Sequence, residues 1–286
     1  MEILKGTGVA LVTPFNEDLT IDFDGLLKLL EHTAKGVDYF VVQGTTGESA
    51  TTTAAEKAEI LSFVEKNNKT GLPIVYGIGG NNTQSVLDNI KSTDLDGVDA
   101  ILSVSPYYNK PSQEGIYQHF KMIADASPVP VILYNVPGRT QSNISANTTL
   151  RLAQHKNIVA IKEASGDLTQ CMSISKDASE DFLLISGDDL LTTPMMATGA
   201  VGVISVLANA FPETFKRITK AAFSADFKAS SEATFELIDI NPLMYAESNP
   251  VGIKQVLEEF GICKNYVRMP LLPASEDLKT KIKALL

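Results

Sequence analysis

Residues 158–163 read Ile-Val-Ala-Ile-Lys-Glu, four apolar side chains followed directly by a lysine and a glutamate. A near-continuous apolar run is typical of a strand that is buried on both faces, as in a parallel sheet. The chain contains eight such runs, at residues 8–12, 39–42, 74–78, 100–104, 131–134, 158–162, 182–186 and 201–206. Segments long enough for a crossover helix separate them, so the sequence predicts alternating strands and helices.

Helix-start signals lie between the runs. Asp22 precedes apolar residues spaced along one helical face, and Thr53 followed by Glu56 spells a capping box. Ser145 and Asp167 are plausible caps of later helices. Eight strand–helix units predict a (β/α)8 TIM barrel, with a doubly wound sheet as the alternative.

The strand-like runs stop well before the end of the chain. Residues 233–240 and 252–260 have helical patterns, and Pro242 and Pro250 interrupt this part. We therefore expect a catalytic barrel over residues 1–224 and a C-terminal helical appendage over residues 225–286.

Composition limits the function classes. The 286 residues carry 24 Lys and Arg against 34 Asp and Glu, a formal net charge of −10. A nucleic-acid binder needs a basic surface, so that class is excluded, and attraction to an anionic membrane is disfavoured for the same reason. The two cysteines have no CxxC spacing, and no signal-peptide pattern occurs, so we expect a cytoplasmic protein.

Lys162 is the residue that most strongly indicates chemistry. It ends a predicted buried strand, and active sites of barrels lie at the carboxyl ends of their strands. Burial disfavours the charged ammonium and makes the neutral amine available as a nucleophile toward a carbonyl group. A lysine that only binds phosphate would occupy a similar position, so the position alone leaves both roles open.

Other polar residues follow other strands. Gly44-Thr45-Thr46-Gly47 is either a tight turn or a loop that receives a carboxylate, and it lacks the lysine of a nucleotide-binding P-loop. Tyr134 ends the fifth run and is placed to move protons. Arg139 is either a surface charge or a carboxylate-binding guanidinium.

A metal site is not predicted. The three histidines, His32, His119 and His155, lie in helical segments away from the strand ends. Asp188-Asp189 follows the seventh run, but without further ligands it is better explained as a helix start.

Taken together, these motifs resemble the dihydrodipicolinate synthase/N-acetylneuraminate lyase family of Schiff-base pyruvate aldolases. The resemblance covers nearly the whole chain. It rests on Gly-Thr-Thr-Gly-Glu at 44–48, Tyr-Asn-Val-Pro at 134–137 and Lys162, which follows Tyr134 by 28 residues. The sequence Asn-Val-Pro-Gly-Arg-Thr at 135–140 is more similar to the synthases than to the lyases.

The resemblance implies a role for each catalytic residue. Lys162 forms an imine with pyruvate, and its enamine attacks the aldehyde of aspartate semialdehyde. Tyr134, Thr45 and Tyr108 form a proton relay, with Tyr108 supplied by the neighbouring subunit of a tight dimer. No metal or organic cofactor is required, and family members are commonly homotetramers, built as dimers of dimers.

The resemblance also implies binding roles. Thr46 holds the carboxylate of pyruvate, Arg139 holds that of the aldehyde substrate, and Gly187 and Ile204 line the pyruvate side.

A regulatory site is present only in part. Residues matching the lysine feedback site of enterobacterial members are Ser49, Ala50, Asn81 and Tyr107. Where those members have two histidines and a glutamate, this chain has Ala54, Lys57 and Ser85. A missing carboxylate and an added cation should weaken binding of lysine, so we expect weak or absent feedback.

Three alternatives remain. The chain could be a family aldolase acting on a sugar acid or keto acid, which Arg139 disfavours. It could be a non-catalytic ligand-binding barrel, although such a protein would tend to lose Lys162 or Tyr134. A phosphate-binding isomerase is the third, and no Gly-rich phosphate loop follows the seventh run to support it.

Overall fold

Eight parallel strands close into one barrel in chain order, with β1 hydrogen-bonded to both β2 and β8. The computed structural model describes residues 1–286. The strands are β1 (Gly6–Ala10), β2 (Tyr39–Val42), β3 (Ile74–Gly77), β4 (Ala100–Val104), β5 (Val131–Asn135), β6 (Ile158–Glu163), β7 (Leu183–Ser186) and β8 (Gly202–Ser205). The predicted (β/α)8 barrel is confirmed, and the doubly wound alternative is wrong.

Helices connect the strands around the outside. They are α1 (Phe23–Thr33), α2 (Ala54–Asn67), α3 (Thr83–Ser92), α4 (Gln113–Ala126), α5 (Pro137–Thr140), α6 (Ala146–Leu152), α7 (Leu168–Asp177), α8 (Thr192–Ala197) and α9 (Pro212–Phe223). Short 3-10 helices span Glu2–Leu4 and Leu207–Asn209. None of the helices is long and apolar enough to cross a membrane.

The predicted helix caps are present as hydrogen bonds. The Asp22 carboxylate accepts from the Gly25 amide, and Thr53 and Glu56 form both bonds of the capping box. Ser145 and Asp167 each accept from the amide three residues further on. These starts were predictable because a cap is decided within four residues of sequence.

The last part of the chain is helical but differs in detail from the prediction. It contains α10 (Phe227–Phe235), a 3-10 helix (Asn241–Met244), α11 (Val251–Glu259) and α12 (Glu276–Lys283). Residues 233–240 were expected to be one helix, but α10 begins earlier because the Asp226 carboxylate caps it, and turns follow Phe235. We call residues 225–286 the annex; the boundary at 224 itself stays a prediction.

The first strand begins two residues before its predicted start. The Gly6 amide donates to the Val201 carbonyl at 2.9 Å, so the ladder with β8 decides where β1 starts. Gly6 has a φ of +92°, which is a left-handed conformation that favours glycine. A pattern of apolar residues could not have shown either feature.

Two apolar layers position the site. A cluster of 14 buried residues fills the barrel interior, and Tyr134 and Ile204 belong to it. A larger cluster of 61 buried residues packs the strands against the helices. Because side chains alternate along a strand, Lys162 points the same way as Ala160, a member of the interior cluster. Lys162 therefore enters the barrel mouth from the inner face of β6.

Candidate active site

Lys162 and Tyr134 lie side by side on neighbouring strands. They are paired in the register of β5 and β6, and the Lys162 Nζ is 4.4 Å from the centroid of the Tyr134 ring. Both side chains are buried, with 5% and 8% of their surfaces exposed. Lys162 forms no ion pair with any carboxylate of the chain. An amine that is buried without an ion-pair partner, next to a phenol, suits nucleophilic attack with nearby proton transfer.

A buried polar network fixes these two strand ends behind the site. The Asn135 amide donates to both Glu163 oxygens, at 3.1 and 2.9 Å. Gln170 of α7 and the Ser165 backbone amide donate to the same carboxylate, at 2.9 and 2.7 Å. The residue after Tyr134 is thereby bound to the residue after Lys162. Sequence reasoning missed this network, although the Lys-Glu pair at the strand end was visible.

Gly187 lies next to Lys162, and Ile204 lies within the interior cluster. A Cβ atom placed on Gly187 would lie 3.1 Å from both Cγ and Cε of Lys162 and 2.7 Å from the Ala164 Cβ. Only glycine leaves room there for the lysine as it stands. Ile204 is 1% exposed and adds apolar surface to the cluster that contains Tyr134.

The Thr45–Thr46 loop follows β2 as predicted. Turn hydrogen bonds join Gly47 to Gly44 and Glu48 to Thr45, each 3.1 Å long, and the Glu48 backbone is left-handed at φ +52°. Thr45 is exposed, whereas Thr46 is buried. The Thr46 hydroxyl oxygen accepts a hydrogen bond of 2.9 Å from the Asn249 amide, a contact that the sequence did not predict.

A cavity of about 970 Å³ opens at this end of the barrel. Thr45, Tyr134 and Arg139 line it together, although they come from three separate segments of the chain. Arg139 lies in α5, is exposed and has no carboxylate partner. Its guanidinium is therefore available to an anionic ligand.

Tyr108 is not brought to Lys162 or Tyr134 within this chain. Its side chain is 88% exposed, its backbone has a φ of +72°, and it is absent from the cavity lining. A left-handed conformation is strained for a bulky residue. The loop therefore holds an aromatic phenol away from its own barrel.

The residues that match the lysine feedback site lie close together. Ser49, Ala50 and Tyr107 line the cavity, and the Asn81 amide donates to the Tyr107 carbonyl at 3.1 Å. Lys57 lines the same cavity without a carboxylate partner, and burial lowers its pKa.

The acidic pair after β7 has structural roles. Asp188 accepts from the amides of Leu190 and Leu191 in the turn before α8, but the N-cap of that helix is Leu191, so the predicted helix start at the acidic pair is not confirmed. One oxygen of the Asp189 carboxylate accepts from the amides of Val206 and Leu207. Burial raises the pKa of this carboxyl group to about 6. No group of three or more His, Cys, Asp or Glu side chains is placed to hold a metal ion.

The fold and the site together define a class of protein. It is a (β/α)8 barrel with a buried lysine at a strand end in the barrel mouth, and this lysine has no ion-pair partner. The model of the dihydrodipicolinate synthetase family matches residues 3–286. The chain belongs to this family.

Individual relatives agree with the family match. A 4-hydroxy-tetrahydrodipicolinate synthase of Cytophaga hutchinsonii is 52% identical over 284 residues, covering 99% of this chain and 96% of the relative. The crystal structure of a dihydrodipicolinate synthase from Bacillus anthracis has a TM-score of 0.94 and 39% identity, covering 98% of this chain and 97% of the other. The enzyme from Cyanidioschyzon merolae, crystallised with lysine bound, has a TM-score of 0.95 and 35% identity, covering 99% and 97%.

Proposed function

We propose that this chain catalyses the reaction for which its relatives are named, the 4-hydroxy-tetrahydrodipicolinate synthase reaction. It would condense pyruvate with L-aspartate 4-semialdehyde on the way to diaminopimelate and lysine. The observation that carries the proposal is the buried Lys162 amine, 4.4 Å from the Tyr134 ring and without an ion-pair partner. The full-length similarity to 4-hydroxy-tetrahydrodipicolinate synthases supports it.

The proposed chemistry begins at the Lys162 amine. It adds to the ketone carbon of pyruvate and water leaves, which gives a protonated imine. Loss of a methyl proton gives the enamine, whose carbon attacks the aldehyde, and the aldehyde oxygen takes up a proton. The amino group of the second substrate then attacks the imine carbon, releases Lys162 and closes the ring. Tyr134, Thr45 and Tyr108 move the protons in this scheme.

The proposed binding groups must overcome the charge of the protein. Pyruvate is an anion, aspartate semialdehyde has to be held by its carboxylate, and the chain carries a net charge of −10. Attraction must therefore be local, from the Arg139 guanidinium for the aldehyde substrate and from the Thr45–Thr46 loop for pyruvate. Gly187 and Ile204 would shape the pyruvate side of the site.

Borohydride trapping tests the mechanism directly. Incubation with pyruvate and borohydride should add the mass of reduced pyruvate to the peptide that contains Lys162, as read by mass spectrometry. Lys162→Arg should show no adduct, and Lys57→Arg, a change in the lysine that lines the cavity, should be trapped like the wild type. Wild-type trapping of Lys162→Arg would show that the mechanism is wrong.

A comparison of substrates tests the choice within the family. We expect condensation with aspartate semialdehyde and no cleavage of N-acetylneuraminate. Tyr134→Phe should lower kcat on the order of 10²–10⁴-fold, because it removes a positioned general acid and base. Activity only on the sugar acid would favour the lyase alternative.

We also propose a homo-oligomer, a tetramer built as a dimer of dimers in the cytoplasm, in which the partner subunit supplies Tyr108. The 88% exposure of Tyr108 supports this proposal, since the side chain lies outside the cavity of its own barrel. Mixing Tyr108→Phe with Lys162→Arg should restore roughly a quarter of the wild-type activity, because half of the dimers then contain one complete site. No recovery after verified subunit exchange would contradict donation from the partner.

The feedback proposal concerns Lys57 and its surroundings. We expect weak or no inhibition by lysine, because Lys57 places a second cation where lysine would bind and Ser85 supplies no carboxylate. Initial rates measured against lysine concentration check this, with Lys57→His/Ser85→Glu expected to increase sensitivity. Inhibition of the wild type at sub-millimolar lysine would contradict the proposal.

A further inference from the structure

The annex is attached to the Thr45–Thr46 loop by buried polar contacts. The Lys254 ammonium, which is fully buried, donates to Glu48 at 2.5 Å and to the Tyr266 carbonyl at 2.7 Å. The Arg268 backbone amide donates to the other Glu48 oxygen at 2.9 Å. The loop is therefore held by residues that follow it by more than 200 positions in the sequence.

Asn249 is the annex residue whose side chain contacts Thr46. Its side chain is 6% exposed, lines the cavity, and donates through its amide nitrogen to the Thr46 hydroxyl oxygen at 2.9 Å. Its own carbonyl oxygen has no hydrogen-bond partner, so the bond to Thr46 is the only polar contact of the side chain.

The direction of this bond decides what Thr46 can do. An amide nitrogen only donates, and a hydroxyl carries a single hydrogen. Because the Thr46 oxygen accepts from Asn249, its hydrogen points elsewhere, and no other side chain or backbone group in the chain accepts it. The hydroxyl is thereby kept as a donor for an acceptor that comes from outside the protein.

We propose that Asn249 is a positioning residue of the carboxylate site, one that holds the Thr46 hydroxyl as a donor toward the carboxylate of pyruvate. The inference rests on the proposed function and extends it, because it makes the annex part of the substrate site. Lys254 and Glu48 support the same arrangement by fixing the far end of the loop.

Replacement of Asn249 by an acceptor tests the direction of the bond. In Asn249→Asp the carboxylate would take the Thr46 hydrogen and repel the substrate carboxylate. We expect KM for pyruvate to rise about 10- to 100-fold, as for a lost hydrogen bond to a charged group, and KM for aspartate semialdehyde to stay within about twofold. Asn249→Ala removes only the orienting donor, so its KM for pyruvate should rise less.

Two further variants separate this role from a structural one. Asp226→Ala removes the N-cap of α10 within the annex and should lower stability without changing either KM. In a Thr46→Val background, Asn249→Ala should have little further effect, since the hydroxyl that Asn249 orients is absent. An equal rise in KM in Asp226→Ala, or fully additive effects with Thr46→Val, would overturn the inference.

Borohydride trapping distinguishes failure of the inference about Asn249 from failure of the proposed function. If wild-type protein traps pyruvate on Lys162 and Asn249→Asp traps it at the same pyruvate concentration, the inference about Asn249 fails alone. If the wild type forms no adduct, the proposed function and the inference fail together. A shift of half-maximal trapping to higher pyruvate concentration in Asn249→Asp supports both.

Discussion

Gly187→Ala is the substitution whose effect on the site can be worked out most directly from the structure. The new Cβ would lie 2.7 Å from the Ala164 Cβ and 3.1 Å from Cγ and Cε of Lys162. Non-bonded carbon atoms in contact are about 3.5–4.0 Å apart, so the first contact is short by roughly 1 Å and the second by about half as much. The backbone holds the Ala164 Cβ in place, whereas the lysine side chain can rotate.

Displacement of Lys162 therefore relieves the overlap with its own side chain, whereas the overlap with the Ala164 Cβ remains as packing strain. A shift of about 1 Å in a reacting group lowers the rate on the order of 10²-fold, while overpacking destabilises a core by about 1–3 kcal/mol. We expect kcat/KM to fall about 100-fold in Gly187→Ala, with a modest loss in the free energy of unfolding. Steady-state kinetics and the rate of borohydride trapping on Lys162 measure the first, and urea unfolding measures the second.

Two variants control this experiment. Gly138→Ala lies beside Arg139 but places its Cβ in open space, with nothing within 4 Å, so activity should be retained. Adding Ala164→Gly to Gly187→Ala removes the 2.7 Å overlap, which should restore stability while kcat/KM stays low. Trapping and kcat/KM at wild-type levels in Gly187→Ala would refute the argument that Gly187 makes room for the lysine.

Three further predictions concern buried ionisable groups. Lys254→Met leaves the buried Glu48 carboxylate without its cation and should lower the free energy of unfolding by about 3–5 kcal/mol in urea titrations, with recovery in Lys254→Met/Glu48→Gln. Burial lowers the pKa of His119 to about 4, so the unfolded chain binds more protons than the folded chain between pH 4 and 6.5. The free energy of unfolding should therefore drop by about 3 kcal/mol as pH falls through that range, and His119→Gln should remove this contribution. Burial raises the pKa of Asp189 to about 6, so the folded chain binds more protons than the unfolded chain between about pH 4 and 6. The free energy of unfolding should therefore decrease as pH rises through that range. Compared with the wild type, Asp189→Asn should be more stable at pH 8 than at pH 4, as measured by unfolding at both values.

Much of the fold was predictable from local sequence. Runs such as 100–104 and 131–134 coincide with β4 and β5 to within one residue, and the caps at Asp22 and Thr53 lie where predicted. The first strand differs because its start depends on a ladder with β8, which lies almost 200 residues away. Local patterns report burial and capping, and they contain no information about register with a distant strand.

The candidate site, like the fold, was predictable in part from local sequence. The position of Lys162 at the end of a buried strand and of Tyr134 on the preceding one followed from the apolar runs, and the structure pairs them in register. The contacts of Asn249 and Lys254 were missed. Pro250 indicated only an interruption of the helices, and no pattern near residue 249 points to residue 46.

The sequence by itself determined the alternation of strands and helices, the barrel class and the identity of the strand-end lysine, because periodicity and capping act over a few neighbouring residues. Only the tertiary structure decided that the annex holds the Thr45–Thr46 loop and that Gly187 leaves space for Lys162. These features depend on atoms brought within about 3 Å of each other by barrel closure and packing, and the chain carries no local signal for contacts made at that distance.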